Sequence, residues 1–434
     1  MIAKQYEKVN ETLYSETLAN GLQVFVLPKT GFTKTFVTFT TKFGSLDNHY
    51  RISEGEDILV PDGIAHFLEH KMFAEPDGDV FTKFAANGAS ANAFTSFDRT
   101  AYLFSCTDHL YENLDILLDF VQNPYFTQAN VDKERGIIDQ EIAMYQDNPD
   151  WRLYFELLAA LFVQSPMNID IIGTSATIAQ ITPQSLYDCY HAFYHSSNMC
   201  LFAIGAIEPQ AFFDRIKLNQ ARKTFPPKPD LIRIIPEEPE HVAKPWRQIE
   251  LPVSEPKCLI GFKELHNERL EGIELLKREC ALQIMFQLLF APSSTIYQTL
   301  YSEQLIHSNF SSSITVKNDL TYSMMGGDTP DPDKLVARIF ELVEQYFDST
   351  ADRLGFERMK RKAIGAFVRM FNSPSAIASQ FTAYHFQNSD FFELLAAYET
   401  VNFDESLEIV RNHLNHKRHA VCVVRDGVNK NGMG

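Results

Sequence analysis

Five consecutive residues, His66-Phe67-Leu68-Glu69-His70, constrain this chain more than any other stretch. Their order, H-x-x-E-H, makes chemical sense on a helix, where His66 and His70 stand at i and i+4 on one face. Two imidazoles so placed can take two corners of a tetrahedral Zn²⁺ site. Glu69, one residue before the second histidine, reaches the open corner where a water would bind and can accept its proton. The flanks fit a packed helix. Pro61-Asp62-Gly63 is a turn at its start, and Phe67, Leu68, Met72 and Phe73 give it apolar neighbours.

A third protein ligand has to come from another element. The segment from Val131 to Met144 is the candidate, because Val131, Ile137, Ile138, Ile142 and Met144 suit a partly buried helix. Glu134 and Glu141 are seven apart, about two helical turns, so both project from one face. One of them can ligate the metal while the other holds a ligand histidine by a hydrogen bond.

Taken together, these residues resemble the pitrilysin/insulinase family of zinc peptidases, which includes mitochondrial processing peptidase. The resemblance extends through most of the chain. The run from Gly88 to Ser96 is similar to the family's substrate-binding edge strand. Gly173-Thr174-Ser175-Ala176-Thr177-Ile178 and Tyr194-His195-Ser196-Ser197-Asn198-Met199 match two further landmarks in family order. The resemblance implies that His66, His70 and Glu141 bind Zn²⁺, that Glu69 is the general base, and that Glu134 supports a ligand histidine. It also implies that a peptide lies along Asn92 and Ala93. Within the family the chain resembles a branch of small firmicute members often encoded beside a zinc-less homologue.

Composition agrees with a protein of two or three domains. Its 45% hydrophobic residues are ample for large cores. A net charge of −17 argues against nucleic acid as a partner. The polar start, Met1 to Lys8, lacks the apolar region of a signal peptide. Apolar runs such as Leu157 to Val163 are too short to span a bilayer, so no membrane segment is expected. The six cysteines are scattered without a C-x-x-C pair and read as reduced thiols of a cytoplasmic protein.

The chain reads as two similar halves. Residues 1–222 form the metal-binding domain, 223–247 a proline-rich linker, and 248–434 a homologous domain without metal ligands. In register, Gln283, Phe286 and Gln287 fall opposite His66, Glu69 and His70. The family resemblance implies an α+β fold of two homologous domains. Each is an antiparallel-rich sheet covered by helices, in a clam-like arrangement.

One departure from the family pattern matters. Many members carry an arginine and a tyrosine, seven residues apart, in the second half. Aligned on Glu303-Gln304-Leu305, those places hold Leu300 and His307. The expectation is therefore an endopeptidase acting on short or unfolded peptides, completed by a zinc-less homologous subunit. A homodimer in which His307 itself donates is the alternative assembly. The alternative function is a weakly catalytic or non-catalytic maturation subunit, which the resemblance to some members of that branch would link to modification of the translation factor EF-P.

Overall fold

The computed structural model describes residues 1–76, 78–348 and 352–427. Two sheets organise it. The first has seven strands: β1 (Ile2–Tyr6), β2 (Glu11–Thr17), β3 (Gln23–Pro28), β4 (Thr35–Thr41), β5 (Ser90–Thr95), β6 (Thr100–Cys106) and β7 (Met199–Gly205). Their spatial order is β1-β2-β3-β7-β4-β6-β5, so β5 is an open edge. The β7 strand is buried at all seven positions, as its continuous apolar sequence requires when both faces are covered. The second sheet contains β8 (Trp246–Glu250), β9 (Lys257–Leu265), β10 (Ser311–Val316), β11 (Leu320–Asp328) and β12 (His419–Arg425). Its order is β8-β12-β9-β11-β10.

The second order repeats the last five strands of the first. In both sheets the single parallel pair falls at the same place, β3 with β7 and β8 with β12. All other pairings in the two sheets are antiparallel. The expected α+β architecture with two homologous sheets under helices is therefore what the chain adopts.

The compact units are not the contiguous halves expected from sequence. One unit comprises 1–142, 170–235 and 370–386, the other 143–169, 236–369 and 387–434. The helix Pro149–Leu161 of the first half lies against β9 and β12 of the second sheet. Gly261 in β9 permits that approach, since a Cβ there would meet Leu161 Cδ1 at 2.7 Å. Reciprocally, the helix Pro374–Phe386 covers β4 and β7 of the first sheet. Its Phe381 ring packs on Phe25 and Phe202 at 4.9 and 4.5 Å, and His385 hydrogen-bonds Gln23 at 2.8 Å. A buried Phe side chain contributes about 2–3 kcal/mol, so losing this helix would expose a costly surface. The 223–247 segment is likewise no free linker. Leu231–Arg233 pairs with His49–Ile52 in the first unit, and Trp246 already begins β8.

Gly272–Ser302 is long and apolar enough to cross a bilayer, but 72% of its most apolar window is buried within the fold. It is two core helices, Gly272–Phe290 and Thr295–Ser302, separated where Ala291 turns to extended backbone.

Candidate metal centre

The site is built on α1 (Ile64–Met72) and α2 (Gln128–Gln146), both within the first unit's packing except for the last turn of α2. Helix α1 begins at Gly63, whose φ of +90° excludes most side chains. A Cβ on Gly63 would strike Ile172 O at 2.5 Å, and one on Gly173 would strike Asp62 O at 2.5 Å. The two glycines thus let the 172–173 loop lock onto the start of α1. Below, Ile64, Ala65, Phe67, Leu68 and Met72 are buried and fix the rotation of the helix. Helix α2 opens with a reciprocal cap between Thr127 and Asn130. It anchors through buried Val131, Ile138 and Ile142, which leaves Glu134 and Glu141 on the adjoining strip.

His66, His70 and Glu141 converge, with one ligand atom from each lying within 4.8 Å of the others. The Nε2 atoms of His66 and His70 stand 3.8 and 3.7 Å from Glu141 Oε2. These separations are too long for direct hydrogen bonds. They are close to the ~3.3 Å between donors on a tetrahedral ion with bonds of ~2.0–2.1 Å. Two neutral imidazoles and a carboxylate are also the donor set that zinc favours. The residues therefore fit the ion that the sequence implies, and both histidines present Nε2.

The surroundings set the protonation of each group. Burial, reinforced by the nearby His70, pulls His66 down to about 3, so it stays neutral and able to donate its lone pair. Its buried Nδ1 has no hydrogen-bond partner. His70 is less exposed to this effect. Burial lowers it too, but the Glu134 hydrogen bond and the charges of Glu69, Glu134 and Glu141 raise it above the ordinary value. Glu134 Oε1 lies 3.1 Å from His70 Nδ1, which places the proton there and turns the Nε2 lone pair toward Glu141. Burial opposes the charge on Glu134, yet His70 and Lys71 hold its carboxyl below the usual range.

Glu69 is 8% exposed, and burial raises its pKa above the ordinary carboxylate value. Its Oε2 accepts a 2.6 Å hydrogen bond from Thr95 Oγ1 at the end of β5. Asn92 and Ala93 lie on the same strand, at the open edge. The Ala93 N–H donates to Asn92 Oδ1 at 2.9 Å rather than to β6. It is a main-chain donor aimed away from the sheet.

Two residues of this site had no role assigned to them from the motifs. Thr95 reads as one more β-branched residue of a strand. Lys71 reads as a solvated helix charge, yet it is 3% exposed and its Nζ lies 3.2 Å from Glu134 Oε2.

The corresponding region of the second sheet carries a different set. On Gly272–Phe290, Gln287 Oε1 accepts from Lys362 Nζ at 2.7 Å and Gln283 accepts from the Tyr398 hydroxyl. Among the described residues, no second group of metal ligands is found. Leu300 is fully buried, and His307 Nε2 pairs with the Glu255 carboxylate at 2.9 Å.

Residues 56–175 match the family model described as Insulinase (Peptidase family M16), and residues 180–362 match Peptidase M16 inactive domain. A Bacillus subtilis (strain 168) protein named "Uncharacterized zinc protease YmfH" is 44% identical over 97% of this chain and 98% of its own length. A crystal structure from Alicyclobacillus acidocaldarius, described as M16-like peptidase, superposes with a TM-score of 0.92 at 36% identity. It covers 96% of this chain and 99% of its own. A Helicobacter pylori protease shares the fold, with a TM-score of 0.82 at 20% identity over 95% of this chain and 99% of its own. With its two sheets and these matches along nearly its whole length, the chain belongs to the insulinase family, peptidase family M16.

Proposed function

We propose that this protein is a zinc-dependent endopeptidase that hydrolyses short or unfolded peptides. The convergence of His66 Nε2, His70 Nε2 and Glu141 Oε2 beside the buried Glu69 carboxylate carries the reading. The naming of its relative as a zinc protease supports it. Zinc held by these three residues would supply a Lewis acid that lowers the pKa of water toward ~7. Glu69 takes the proton from the attacking water and returns it to the leaving amine. Thr95 holds the Glu69 carboxylate on its Oε2 side, and Glu134 keeps His70 in the Nδ1–H tautomer. The six cysteines, all free and buried, support a reducing, cytoplasmic setting.

The substrate backbone adds as a strand along β5, taking over the outward Ala93 N–H. Affinity then comes from main-chain hydrogen bonds and is broad. Ala93→Pro removes that donor at an edge position where the sheet itself tolerates proline. We expect KM to rise about tenfold or more in steady-state kinetics on a quenched peptide, with the thermal midpoint little changed. An unchanged KM would place the peptide elsewhere.

Leu300 and His307 leave the second half without the expected arginine and tyrosine. We propose that a homologous, zinc-less chain supplies them. The chain by itself should bind one Zn²⁺ and cleave slowly, and its partner should raise the rate by ~10²–10³, the scale of one missing oxyanion donor. Metal analysis and peptide hydrolysis, with and without that partner, test both statements. Full turnover alone, abolished by His307→Ala, would leave the homodimer standing. Stoichiometric zinc without hydrolysis in either form would favour the maturation subunit.

A further inference from the structure

We propose that Lys71 is a positioning residue for the metal, acting through Glu134. It rests on the zinc reading above and adds a member that the motif does not contain. Lys71 follows His70 directly on α1, and its side chain is 3% exposed. A lysine so deeply buried is costly to the fold unless its charge is paired. The pairing is specific. Glu134 spans two partners from one carboxylate, Oε1 to His70 Nδ1 at 3.1 Å and Oε2 to Lys71 Nζ at 3.2 Å. A carboxylate held at one oxygen can rotate, whereas one held at both cannot. Lys71 thereby fixes the plane in which Glu134 meets His70, and with it the direction of the His70 Nε2 lone pair toward Glu141.

Charge gives a second reason. Glu69, Glu134 and Glu141 put three carboxylates around the site, more than a divalent ion neutralises. The Lys71 ammonium brings that group to balance. It does so from the far side of Glu134 and adds no competing ligand, since an ammonium has no lone pair to offer.

The test measures zinc affinity by chelator competition and apo stability by thermal unfolding. Lys71→Met should weaken zinc binding by about 10–100-fold, the range for changing a ligand's supporting partner. Lys71→Gln, which can still donate a hydrogen bond, should lose less. In the Glu134→Gln background Lys71→Met should change zinc affinity by less than about threefold, because the group through which it acts is gone. A purely structural lysine would show equal losses in both backgrounds, and that result overturns the proposal. So does wild-type zinc affinity in folded Lys71→Met and Lys71→Gln proteins. If Lys71→Met does not fold, Lys71→Gln in the two backgrounds gives the same comparison. A wild-type chain that takes up no zinc would instead sink the peptidase reading itself. Zinc-binding wild type with unaffected Lys71 variants would sink this inference alone.

Discussion

Replacing Glu69 with glutamine should leave zinc bound and lower peptide hydrolysis by at least ~10²-fold, the scale of a lost general base. The amide keeps the size of the side chain and can still meet the Thr95 hydroxyl, which now donates to the amide oxygen where it donated to Oε2. Nothing in the ligand set changes, since His66, His70 and Glu141 do not depend on Glu69 for a hydrogen bond. The buried position should even gain slightly in stability, because burial raises the carboxyl's pKa and the neutral amide escapes that penalty. The expected combination is therefore normal metal content, an equal or higher thermal midpoint, and a collapse of kcat. Wild-type turnover by Glu69→Gln would remove Glu69 from the mechanism.

The second large effect is on the metal. His70→Ala should abolish stoichiometric zinc and hydrolysis together while the fold persists. Removing one of the three proposed ligands should exceed the ~10–100-fold effect of altering a supporting partner. The fold survives because α1 is held by Ile64, Phe67, Leu68 and Met72, none of which touches the ion's position by role. Lys71 and Glu134 also remain paired in the variant, so no buried charge is orphaned. His66→Ala should behave alike, and at still less structural cost, since His66 Nδ1 already lacks a partner. Stoichiometric zinc in the His66→Ala, His70→Ala double variant, measured by elemental analysis, would refute the ligand assignment.

Much of this centre was legible because helical spacing converts sequence into geometry. The i, i+4 histidines and the i, i+7 glutamates each had to share a face, and α1 and α2 are the helices that the apolar pattern requires. What spacing could not give was the pairing of one helix with the other. That Glu134 rather than Glu141 meets His70 Nδ1 rested on family likeness. Lys71 was illegible for the same reason, since its partner is a carboxylate 63 positions away. Thr95 became visible only once β5 was seen to end beside Glu69.

The fold divides in a similar way. The halves could be read as similar from sequence, and the common strand order of the two sheets agrees with a duplication. Proline density marked 223–247 as irregular, but prolines exclude only themselves from a ladder. Leu231–Arg233, lying between them, is free to pair. The crossing of Pro149–Leu161 and Pro374–Phe386 to the opposite sheets has no local signature. Either helix has an apolar face that would suit either sheet, and only tertiary packing chooses.

That crossing bears on how the chain is made. The first sheet has all its strands once the ribosome has passed Gly205, yet the helix that covers β4 and β7 ends at Phe386. Roughly 180 further residues must be added first. At ~5–20 residues per second, the interval is about 10–40 seconds, during which an apolar sheet face waits without its cover. For that interval the nascent first half carries exposed apolar surface of the kind that invites wrong partners. A closely homologous chain, with the same helix at the same place, is the partner best shaped to occupy that face by mistake.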